Sequence, residues 1–96
     1  MNRSATFVAE CFWPDVTEAD LEKLDRRVTT EASRLGDDSQ PVRYLGSILV
    51  REDEVVLCQF EGVEADVRLL AERAAIPFAR ILETTSSGRR QSEPAE

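Results

Sequence analysis

The chain contains no histidine. That absence removes the commonest metal ligand and the side chain that most often moves protons near neutral pH. Cysteine is nearly as scarce: Cys11 and Cys58 are the only two, each set in a stretch of strand character, and they form no CxxC pair. They read as small buried apolar residues in a reduced compartment, with no redox or zinc motif around them. With four glycines in all, the sequence builds no glycine-rich phosphate loop, and it has no nucleophile elbow. Basic residues are outnumbered, 12 against 19, for a net charge of −7. Such an acidic protein repels polyanions, so nucleic acid is not an expected partner, and Arg89-Arg90 is too small a cluster to reverse that. Apolar runs near Val55 to Leu57 and Leu69 to Ala71 fall far short of the roughly 20 residues that span a bilayer. The first residues lack a signal-peptide pattern, since Glu10 and Asp15 arrive early, and the expected location is cytoplasmic, away from membranes.

What is present is an orderly alternation of elements. At 96 residues the chain has room for one domain with a modest core. The stretch Val42 to Glu61, VRYLGSILVREDEVVLCQFE, places two apolar runs around the charged tip Arg51-Glu52-Asp53-Glu54, the signature of a β-hairpin. Before it, ATFVAECF (Ala5 to Phe12) reads as a strand ended by Trp13-Pro14-Asp15. Thr17, with Asp20 three positions on, then opens a helix whose stripe is Leu21, Leu24, Val28, Ala32 and Leu35, with Gly36 at the left-handed end position. Asp37 to Pro41 is a polar connector. After the hairpin, Val63, Val67, Leu70 and Ala74 form a second helical stripe that Ile76-Pro77 terminates. ARILETT (Ala79 to Thr85) is a last short strand. The domain therefore spans residues 1–85, and the polar tail 86–96 is expected to be disordered.

Strand, helix, strand, strand, helix, strand, joined by right-handed crossovers, gives one antiparallel sheet in the order 4-1-3-2 with both helices on one face. This is the α+β, ferredoxin-like βαββαβ arrangement. Side-chain alternation then separates two faces. On the second strand Leu45 and Leu49 oppose Val42, Tyr44, Ile48 and Val50; on the third, Val56, Cys58 and Phe60 oppose Val55, Leu57, Gln59 and Glu61. Both sets are largely apolar, yet the helices cover only one. A second copy, pairing open face to open face as a dimeric α/β barrel, is the expected cover, because the tail has no large apolar residue with which to fold back.

That pairing encloses a cleft. If Phe7, Ala9 and Cys11 face the helices, then Val8, Glu10 and Phe12 face the cleft, with Gln59 on the neighbouring strand and Tyr44 one strand further. The expected ligand-binding set is Glu10, Phe12, Trp13, Tyr44, Ile48, Leu57 and Gln59, Trp13 standing at the cleft mouth. A structural role for Glu10, in an interface hydrogen bond or an ion pair with an arginine such as Arg43, is the plainer expectation for it. A one-residue slip of register exchanges the two faces.

The segments Phe7-Val8-Ala9-Glu10 with Pro14 and Thr17, Val42-Arg43-Tyr44-Leu45 with Ser47, Cys58-Gln59-Phe60-Glu61, and Arg73-Ala74-Ala75-Ile76-Pro77 with Ile81 resemble a family of small bacterial ferredoxin-like domains of unknown function. Some members of that family are described as nickel-binding, through histidines on the first two strands. The matching positions here are Glu10-Cys11 and Arg43-Tyr44-Leu45, so the resemblance implies a dimeric α/β barrel without the metal site. The function expected is a homodimeric module, with no metal or cofactor, that binds a small apolar molecule or a partner in its cleft. One alternative is a cofactor-free enzyme of isomerase or monooxygenase type, with Glu10 as acid or base and Tyr44 or Gln59 as helpers. Others are a metal-binding protein and a purely structural dimer whose cleft its own side chains fill.

Overall fold

A computed structural model of the chain describes residues 4–35 and 42–85. Gly36, the connector 37–41 and the tail 86–96, for which a helix end, a polar loop and disorder are expected, lie outside the described residues. The elements are β1 (Ala5–Phe12), α1 (Glu18–Leu35), β2 (Arg43–Val50), β3 (Val55–Gly62), α2 (Glu64–Arg73) and β4 (Arg80–Thr84). All pairings are antiparallel and the sheet order is β2-β3-β1-β4. Read from the other edge this is the expected 4-1-3-2, and the fold is ferredoxin-like.

Burial shows which face the helices take. Phe7, Ala9 and Cys11 on β1, Val56, Cys58 and Phe60 on β3, Leu24 and Val28 on α1, and Val67, Leu70 and Ala71 on α2 form one buried cluster. Alternate residues of β1 and β3 thus point into the helix layer, and the intervening ones point away. Arg27 adds a polar tie between the helices: its Nε donates to the Ala74 carbonyl at 2.6 Å, where the last turn of α2 leaves an acceptor open.

The helix ends follow from local chemistry. Thr17 and Asp20 form a reciprocal capping box, the Thr17 N–H donating to Asp20 Oδ2 at 3.0 Å and the Asp20 N–H to Thr17 Oγ1 at 3.1 Å. Thr17→Ala is expected to lower unfolding free energy by about 1 kcal/mol in urea titrations. The bond from the Thr17 backbone N–H, and then the nearby Thr17 hydroxyl, hold the Asp20 carboxyl below its ordinary value. Its stabilising effect is therefore complete above the carboxyl's unfolded-state value and is lost as pH falls through the lowered folded-state one. The stabilities of Asp20→Asn and the parent chain should converge across that acid range.

At the far end of α2, the Ile76 N–H donates to the Ala71 carbonyl at 3.0 Å and the Ala75 N–H to the Glu72 carbonyl at 3.1 Å. This is a Schellman closure, with Ala75 at φ 57° in the place glycine usually takes. Buried Ile76 supplies the hydrophobic contact that accompanies such an end. The hairpin tip is the four residues expected: Arg51–Asp53 make a single 3-10 turn and Glu54, at φ 54°, returns the chain to β3. Glu54 also anchors the β1–α1 turn, its carbonyl accepting from the Trp13 N–H at 2.9 Å and its carboxylate from the Asp15 N–H at 3.1 Å.

Candidate functional site: the open face of the sheet

The open face is laid out by the strand pairings as four cross-strand rows. The first holds Arg43, Glu61, Thr6 and Thr84; the second Gly46, Gln59, Val8 and Leu82. In the third are Ile48, Leu57, Glu10 and Arg80, and in the fourth Val50, Val55 and Phe12. Polar groups thus fill one end, and the rest is apolar apart from Gln59 and the ion pair of Glu10 with Arg80. Phe12 is 61%, Ile48 46% and Leu82 37% exposed, so large apolar side chains stand in water in three of the four rows, as on faces that serve as an interface or a binding site.

Five of the seven sequence-predicted site residues, Glu10, Phe12, Ile48, Leu57 and Gln59, lie together on this face. Tyr44 does not. A bulge between Tyr44 and Gly46 inserts one residue into β2, and Gly46 takes φ 113° there, a conformation that side chains at Cβ disfavour. The extra residue shifts the alternation, so Tyr44 and Ile48 fall on opposite faces. Tyr44 pairs with Phe60, packs against its ring at a centroid distance of 5.3 Å, and joins the helix-side core. Its hydroxyl donates to Asp25 Oδ1 on α1 at 2.5 Å, and the Ser47 hydroxyl donates to the same oxygen at 3.0 Å. Burial, and then the bond to Asp25, push the Tyr44 phenol upward, so it remains a neutral donor that fastens α1 to the edge strand. Trp13 is likewise drawn inward, packing against the helix-side core.

Glu10 is not held by Arg43, which instead bonds Glu61 at 2.6 Å. Arg80 on β4 is its partner, Nε donating to Glu10 Oε1 at 2.5 Å. That bond, with the neighbouring carboxylate charge, raises the guanidinium further above its already high value. The carboxylate is therefore met by a cation, and the isolated apolar setting that drives proton transfer by a buried acid is not present. Sequence reading missed both Asp25 and Arg80. Gly46 within a strand was the available signal for the bulge; the pairing of Glu10 with Arg80, 70 residues apart, has no local signal.

No family model, curated protein or solved structure matches the chain. The chemistry of the site therefore rests on its own residues.

On the opposite face of the sheet, Cys11 and Cys58 are both free and fully buried. Cys58 pairs with Ala9 and Cys11 with Val56, which makes the thiols diagonal neighbours. A hydrogen bond to Cys11 and burial both favour the neutral thiol of Cys58 and push it upward. Glu10 and Cys11 project to opposite faces and so do not converge on one ion. A recess of about 80 Å³ lined by Val16, Leu49, Arg51 and Glu54 lies near the hairpin tip, away from the central rows of the open face.

Proposed function

We propose that this chain is a homodimeric binding module in which two open sheet faces pack against each other and enclose an apolar cleft for a small organic molecule. The observation that carries this reading is the exposed row structure around Phe12, Ile48 and Leu82, on a sheet whose other face the helices already cover. Charge supports self-association. Arg43, Glu61, Glu10 and Arg80 cancel within the face, so the excess of seven acidic charges lies outside these four residues. Two copies meeting through this face avoid the repulsion that other approaches incur. Three strands of eight residues and one of five present a footprint of roughly 450 Å² per copy, or on the order of 900 Å² for the pair. That lies just under the roughly 1,000 Å² of a specific interface, the size of a weak dimer whose assembly depends on concentration.

The enzyme reading draws less support, since Glu10 is engaged by Arg80 and Tyr44 by Asp25 on the far side of the sheet. Native mass spectrometry of the chain purified without added ligand tests the proposal. A dimer that releases a stoichiometric organic compound is the expected result. A monomer overturns the self-association, and an empty dimer overturns the cargo in favour of a cleft filled by its own side chains.

A further inference from the structure

The ion pairs of the open face also bear on the chemistry of the cargo. In both, the arginine is the outer member. Arg80 is 62% exposed against 18% for Glu10, and Arg43 is 69% exposed against 41% for Glu61. The four charges cancel in sum, yet a molecule approaching this face meets guanidinium first. The surroundings of the two arginines differ. Arg43 stands in the polar row with Glu61, Thr6 and Thr84, whereas Arg80 shares its row with Leu57 and Ile48 and borders the row of Val8 and Leu82.

Arg80 is also oriented. Its Nε is held by Glu10 Oε1, while its two terminal amino groups have no hydrogen-bond partner among the described residues. A guanidinium presents its donors in a planar fork that matches a carboxylate in two parallel hydrogen bonds. From these observations we infer that the cargo is an amphipathic monocarboxylate, a short aliphatic or aryl acid. Arg80 takes the carboxylate, and the hydrocarbon lies over Val8, Leu82 and Leu57. Glu10 acts as a positioning residue that keeps the fork upright, and an amine cargo has to pass Arg80 to reach it. This inference rests on the cleft reading above.

Three probes of equal chain length separate the possibilities: octanoate, octanol and octylammonium, each titrated calorimetrically into the full chain, with sedimentation run on the same samples. Octanoate is expected to bind at least tenfold tighter than octanol, and octylammonium weakest. Arg80→Gln should erase the preference for octanoate over octanol while leaving octanol binding in place. Glu10→Gln, whose amide oxygen still accepts from Arg80 Nε and so keeps the fork in place while the competing negative charge is removed, should hold octanoate affinity or raise it several-fold. The inference is overturned if octanol or octylammonium matches octanoate, or if Arg80→Gln retains the preference. A dimer that binds none of the three overturns the cargo class and leaves self-association standing. A monomer that binds none removes the cleft reading and this inference together.

Discussion

Phe60→Ala is expected to lower the unfolding free energy by about 3–5 kcal/mol, the largest stability loss of any single truncation in this domain. Phe60 heads the fully buried side chains by volume and lies on β3, which is flanked by β2 and β1. Its ring supports Tyr44 at 5.3 Å, so truncation opens a cavity and also loosens the side chain that fastens α1 through Asp25. Domains of this size have only about 5–15 kcal/mol in total, and the loss translates into a Tm lower by roughly 12 °C or more. Thermal and urea unfolding followed by circular dichroism measure it, at matched protein concentration because assembly shifts apparent stability. Phe60→Leu, which leaves less space empty, should cost less than half as much. A loss below about 1 kcal/mol for the alanine variant would contradict the placement of Phe60 in the core.

How much of this was readable in advance depends on the range of the interaction. Local signals worked: the Thr17–Asp20 box, the four-residue tip Arg51 to Glu54 and the apolar stripes each show up within a few residues, and together they were enough for the topology. The two faces of β1 and β3 were also legible, because period-two alternation runs through both without interruption. On β2 the same reasoning put Tyr44 beside Ile48 and was wrong by one position, since the bulge at Gly46 adds a residue and inverts the parity upstream of it. The end of α2 was placed correctly through Pro77, although the closure itself uses Ala75, a residue with no special propensity for φ above zero. Partner choice was the least readable. Arg43 and Arg80 are equivalent by composition, and only the observed strand register assigns Glu61 to one and Glu10 to the other.

Ile48→Asp should abolish self-association while leaving the folded subunit nearly intact. Ile48 faces away from the helices, opposite Leu57, and is 46% exposed in the single chain. An aspartate there reaches water, so the isolated subunit should lose no more than about 1 kcal/mol. In the pair of sheets the same position is covered by the second copy. Symmetry doubles the change, burying two carboxylates, and within each copy Arg80 stands on β4, at the opposite edge of the sheet from Ile48, while Arg43 is engaged by Glu61. An uncompensated buried charge costs several kcal/mol, which corresponds to a Kd raised by about a thousandfold or more. Sedimentation equilibrium of the variant and the parent chain reads this directly. Leu69→Asp provides the comparison, since Leu69 is similarly exposed on α2 but lies outside the open sheet face. That variant should assemble as the parent does. If Ile48→Asp remains dimeric, or if both substitutions dissociate the pair equally, the two copies do not meet through this face.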